Sequence, residues 1–151
     1  MATRTYMEFQ GPLFTLKTPS DWFITASPEI QAMFIEPSHG QRLRANVIIT
    51  LRPVQPDVTA EVVMKNAQET ENAEYPGFTL LAEDDVQAGV GTGKYHMYSW
   101  LNPDGNVPVL QTQAFFVINQ VLITMTATCD LDVQEDVAPV FNEMFSSFKI
   151  G

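Results

Sequence analysis

The stretch from Pro108 to Cys129 constrains the fold more than any other, because its two halves fit one alternating pattern once Asn119-Gln120 is taken as a turn. In that register Ile118 faces Val121, Phe116 faces Ile123, Ala114 faces Met125, Thr112 faces Ala127 and Leu110 faces Cys129. This face is a core. The other face pairs Val117 with Leu122, Phe115 with Thr124, Gln113 with Thr126 and Gln111 with Thr128. It is apolar near the turn and rich in hydroxyl and amide groups further out. Burying Phe116, Ile118, Val121 and Ile123 contributes roughly 1.5–3 kcal/mol each. A one-residue slip would press Gln and Thr groups into that core instead, at about 1–3 kcal/mol for each left unbonded.

The C-terminal segment supplies a cover for the core face. Val133, Val137, Val140, Phe141, Met144, Phe145 and Phe148 recur at spacings of 4, 3, 1, 3, 1 and 3, the stripe of an amphipathic helix. Proline fits a first turn far better than a helix interior, so Pro139 makes Asp136 the expected N-cap and leaves residues 132–135 as a separate turn. A second helix is predicted over about Ala60–Glu74, capped by Asp57 or Thr59 and ended by Tyr75-Pro76-Gly77. Val63, Ala67 and Thr70 share one stripe of it, and Glu61 is correctly placed to pair with Lys65.

Strands are predicted at Phe14–Lys17, Trp22–Thr25, Ala32–Glu36, Ala45–Arg52, Phe78–Glu83 and Gly91–Trp100. Glu83-Asp84-Asp85 reads as the start of a polar connection, and Asn102-Pro103-Asp104-Gly105 as a turn. The face that carries Tyr98 and Trp100 stays open at this level, since one added loop residue reverses it. The resulting class is α+β: a central antiparallel sheet of about six or seven strands with helices packed on it. At 151 residues the chain is expected to be a single domain spanning residues 1–151.

Charge narrows the partners. Eighteen acidic against eight basic residues leave a net charge of −10, which argues against nucleic acid and against anionic membrane surfaces. Met1 to Gln10 holds no apolar run of signal-peptide length, and no segment reaches the length of a membrane-spanning helix, so stable membrane insertion is not expected and a cytoplasmic setting is. Cys129 is the only cysteine, which rules out an internal disulfide and favours a reducing compartment.

Catalytic and metal patterns are poor. His39 and His96 are the only histidines, and neither has a partner at metal-ligand spacing. Cys129 with His96 lacks any nucleophile signature. Asp130, Asp132, Glu135 and Asp136 lack the glycine and periodicity of a calcium loop, and helix capping accounts for them. Gly89-Val90-Gly91-Thr92-Gly93 precedes a strand and has no Lys-Ser/Thr after it, so it reads as a flexible loop rather than a phosphate cradle. No catalytic residue, cofactor or metal is expected.

Phe14-Thr15-Leu16-Lys17-Thr18-Pro19-Ser20-Asp21-Trp22 resembles the opening of PsbP-like and DcrB-like domains, an apolar strand followed by Pro, a turn and Trp. The order of elements is similar over nearly the whole chain, down to a terminal helix ending in Ser147-Phe148. The resemblance implies a PsbP-like helix-sheet-helix sandwich in a superfamily used for binding and assembly, which includes type VI secretion effector chaperones. It brings no catalytic residues with it.

The function expected is therefore a non-enzymatic binding module, such as a bacterial secretion chaperone or adaptor, that offers a sheet face to a protein partner. Gln111, Gln113, Phe115, Thr124 and Thr126 form the candidate surface, and seven methionines could adapt to varied apolar partners, although Met64, Met97, Met125 and Met144 read as core. A second copy of the chain is a further candidate partner. The alternative is a small-molecule carrier with an apolar pocket between sheet and helix, bordered by Tyr95, Tyr98, Trp100 and Phe115.

Overall fold

The computed structural model describes residues 4–27, 32–38, 43–103 and 107–150. His39 and the turn residues Asp104 and Gly105 lie outside the described residues. In chain order the elements are β1 Tyr6–Gln10, β2 Phe14–Pro19, β3 Phe23–Thr25, β4 Ala32–Ile35, β5 Asn46–Pro53, α1 Ala60–Glu74, β6 Thr79–Ala88, β7 Gly91–Asn102, β8 Val107–Ile118, β9 Val121–Asp130, α2 Gln134–Ser147 and β10 Lys149–Ile150. A 3-10 turn, Leu131–Val133, leads into α2.

Seven strands form an antiparallel sheet in the order β3-β4-β5-β9-β8-β7-β6, and β1-β2-β10 form a smaller one. The β8–β9 hairpin has the register read from the sequence, from Leu110 opposite Cys129 to Ile118 opposite Val121. Its turn is tight because Asn119 and Gln120 both adopt left-handed backbone conformations, with φ of 51° and 61°. Phe116, Ile123, Ala114, Met125, Ala127 and Cys129 are buried together with Val137, Val140, Phe141, Met144 and Phe148. The small sheet closes the same core, where Phe14 stacks on Phe148 at 5.1 Å.

α1 lies over β7 and β8 on the opposite face. Thr59 caps it by accepting from the Val62 amide, and Gly77, with φ of 67°, follows its end. Lys65 does not stay on the helix surface to meet Glu61: its ammonium reaches Glu83 Oε1 on β6 at 2.9 Å.

Several local expectations are corrected. Glu83, Asp84 and Asp85 lie within β6, opposite His96, Tyr95 and Lys94. β6 is a terminal strand whose outer edge meets water, so carboxylates are tolerated there. Gly91 and Gly93 belong to β7, and a Cβ on Gly93 would come within 2.2 Å of the Phe115 carbonyl oxygen, so this glycine serves close strand approach. α2 starts at Gln134 with no side-chain cap, Asp136 sits in its first turn, and Pro139 is inside the helix. The four buried apolar side chains of α2 offset the hydrogen bond that proline cannot donate. β1 and β10 carry too little alternation, or too few residues, to be read from periodicity.

Candidate functional site

Seven of the eight residues singled out in the sequence gather on the α1 side of the sheet, but beneath the helix rather than on an open face. Phe115 is 2% exposed and packs with Met64 of α1 and Leu122 of β9, which corrects the expectation that it meets a partner directly. The physical reason is that α1 has its own apolar stripe to bury, and the greasy end of the hairpin is where it goes. Gln111, Gln113, Thr124 and Thr126 are half-buried around it. Tyr98 and Trp100 join this side, and Trp100 stacks on Tyr75 at 4.7 Å. Tyr95 does not: β7 alternation sends it with Met97 to the α2 side. No single pocket therefore contains Tyr95, Tyr98, Trp100 and Phe115.

Two hydrogen-bonded chains run under α1. In the first, Gln68 Nε2 donates to Glu83 Oε2 at 2.7 Å and lies 3.0 Å from His96 Nδ1. His96 Nε2 lies 2.7 Å from Gln113 Oε1, and Gln113 Nε2 donates to Thr126 Oγ1 at 3.3 Å. An amide nitrogen only donates and an amide oxygen only accepts, so His96 is the neutral tautomer with its proton on Nε2. Burial pushes its pKa below the usual histidine value.

In the second chain Tyr98 Oη lies 2.6 Å from Gln111 Oε1 and 3.0 Å from Glu71 Oε2, and Gln111 Nε2 donates to Thr128 Oγ1 at 3.0 Å. A phenol has one proton for two acceptors. The Tyr98 hydroxyl therefore divides its one proton between the Gln111 amide oxygen and Glu71 Oε2. Burial raises the Glu71 pKa to about 7, against the opposing effect of the Tyr98 hydrogen bond. Glu71 Oε1 is buried without a hydrogen-bond partner, and its near neighbour is the neutral His96 ring, 3.6 Å away at Nε2.

In this polar layer both His96 nitrogens are engaged and the Tyr98 hydroxyl is held far above its ordinary pKa by burial, while Glu71 Oε1 and Trp100 Nε1 make no hydrogen bond. Such a layer fixes the position of α1 and leaves neither residue free as a base. Next to it a cleft of about 410 Å³ opens, where Arg52, Asn66, Glu74 and Tyr75 join Phe115 and Thr124. Among the described residues no group of three His, Cys, Asp or Glu is placed to hold a metal ion. Gln68 and Glu71 were not singled out in the sequence, and Glu83 only as the start of a polar connection. The available signal was the spacing of Gln68 and Glu71 on one helical face, opposite alternating His96 and Tyr98.

The model of the DcrB family matches residues 30–147. The chain belongs to the DcrB family. Its fold is that of PsbP and Mog1: cyanobacterial PsbP from Synechocystis aligns with a TM-score of 0.68 at 16% identity, covering 99% of this chain and 95% of its own. LpqN of Mycobacterium tuberculosis, described as involved in cell envelope biogenesis, aligns at 0.70 and 14% identity, covering 98% and 90%. The Saccharomyces cerevisiae Ran-binding protein Mog1p aligns at 0.68 and 13% identity, covering 98% and 96%. No curated protein matches the chain in sequence. The likeness to these structures is one of fold, and DcrB membership is what the sequence match adds. No described helix of this DcrB-family chain is long and apolar enough to cross a membrane.

Proposed function

We propose that residues 1–151 form one non-enzymatic binding module, of the chaperone or adaptor kind used in bacterial secretion, that takes an extended segment of a protein partner on the open edge of β6. The sheet face named from the sequence is already occupied by α1. Stripping α1 would expose Met64, Phe115 and Leu122, at roughly 1.5–3 kcal/mol each, and break the polar layer as well. The β6 edge needs no such rearrangement.

The observation that carries this reading is β6 itself. It is a ten-residue terminal strand of the larger sheet, with Leu80 and Leu81 exposed at 41% and 47% ahead of Glu83, Asp84 and Asp85. A terminal strand offers unpaired N–H and C=O groups to an incoming strand. Lys65 pairs with Glu83 and Lys94 with Asp85, so it is Asp84, together with a net charge of −10, that favours a basic segment and opposes pairing with a second copy. Membership of the DcrB family, and a Ran-binding protein among the fold neighbours, support a binding role.

Peptides of alternating Lys and Val, and of alternating Glu and Val, test the reading by fluorescence anisotropy and backbone hydrogen exchange. The basic peptide is expected to bind, to slow exchange along residues 79–88, and to bind more weakly to the Asp84→Lys variant. Equal binding of the acidic peptide, or unchanged exchange in β6, would reject the edge.

A further inference from the structure

On the α2 side of the sheet lies a second cleft, of about 440 Å³, within the range of roughly 300–1,000 Å³ typical of small-molecule sites. α2 packs against β2, β9 and β6, and the cleft lies between it and this sheet face. The floor is formed by Tyr95 and Met97 of β7, Leu110 of β8 and Cys129 of β9, which alternation places on one face. One stripe of α2 makes the wall: Ala138, Phe141, Asn142 and Phe145 recur at helical spacing. Apolar side chains thus line the depth, and three amides, Gln87, Gln134 and Asn142, border it.

The charge pattern selects the occupant. No side chain lining the cleft carries a formal charge, in a chain whose net charge is −10. Asp84 lies opposite Tyr95 in the β6–β7 register, so an acidic position on the adjoining strand also opposes an anion. A carboxylate buried there would have no cationic partner and would lose its hydration, whereas a neutral hydroxyl could bond to the border amides. We propose that this cleft binds an uncharged amphipathic molecule, with its apolar body against Tyr95, Met97, Leu110 and Phe141 and a hydrogen-bonding head toward Gln134 and Asn142. The site is separate from the β6 edge, and its occupancy does not depend on a protein partner.

The test uses the uncharged fluorescent probe N-phenyl-1-naphthylamine, with decanol and decanoate as competitors that differ in the charge of the head, above the pH at which decanoate is ionised. Ala138→Trp and Ser146→Trp change exposed α2 positions that border the cleft, and circular dichroism reports whether each variant is folded. One-to-one saturable binding of the probe, displacement by decanol but not by decanoate, and at least tenfold weaker binding in a folded Trp variant are expected. The proposal is overturned by absence of saturable binding, by displacement with decanoate as effective as with decanol, or by wild-type affinity in both folded variants.

Discussion

Glu71 of α1 and Tyr98 of β7 share a 3.0 Å hydrogen bond beneath the helix, and the other Glu71 oxygen has no hydrogen-bond partner. Two neighbouring basic groups leave a charge there unbalanced: His96 is neutral in this hydrogen-bond pattern and Lys65 is engaged by Glu83. Burial therefore favours the protonated acid at this contact, with the pKa raised to about 7.

That proton makes stability depend on pH. The Glu71 pKa rises from 4.5 to about 7 on folding, so its contribution is fully present below about 4.5 and is lost as pH climbs to about 7. At about 1.4 kcal/mol per pKa unit, the whole step amounts to at most ~3.5 kcal/mol. His96 acts in the opposite direction: its folded pKa is lowered, so its contribution is present above 6.5 and is lost as pH falls through the folded value. Comparing wild type with Glu71→Gln cancels the His96 effect. Urea unfolding should show wild type gaining stability relative to the variant between about pH 8 and pH 5, and a constant difference would dismiss the proton on Glu71.

Phe115→Asp is expected to act on folding rather than on capture of a partner. It places a carboxylate among Met64, Leu122 and the His96 ring, which meets Phe115 edge-on at 5.5 Å. A loss of about 3–5 kcal/mol is expected by analogy with buried Phe truncation, with the uncompensated charge adding to it. Chemical denaturation reads this directly, and a midpoint within error of wild type would show that α1 does not seal this face.

Gly93→Ala should destabilise the sheet by about 1–3 kcal/mol or more, because the added methyl meets the Phe115 carbonyl oxygen and the Phe116 ring, at 2.2 Å and 2.6 Å. Backbone cannot rotate out of the way as a side chain can. Thermal melting decides, and a neutral result would mean that β7 and β8 separate more easily than this geometry allows.

Gln120→Gly is expected to stabilise the protein by about 1 kcal/mol, since Gln120 holds φ of 61° in a two-residue turn that glycine enters without a Cβ penalty. The Gln120 carbonyl, which accepts from the Val54 amide at 2.9 Å, is retained by the change. An unchanged or lower melting temperature would show that the turn is relaxed by its surroundings.

What the sequence determined by itself was the local and periodic part of the structure. Alternation specified the β8–β9 register, because a one-residue slip of either strand brings Gln111 and Gln113 or Thr124 and Thr126 onto the core face, and helical spacing specified the core stripe of α2. Tertiary structure decided where those surfaces went. The polar hairpin face became the bed of α1, with Glu71 and Gln68 completing hydrogen bonds to Tyr98 and His96 from far away in the chain. It also separated Tyr95 from Tyr98, held Glu83–Asp85 in an edge strand and kept Pro139 within a helix. The reason is that periodicity records which side of an element is apolar, whereas the covering element, the proton that balances a buried acid and the edge left open depend on contacts between segments that no local pattern encodes.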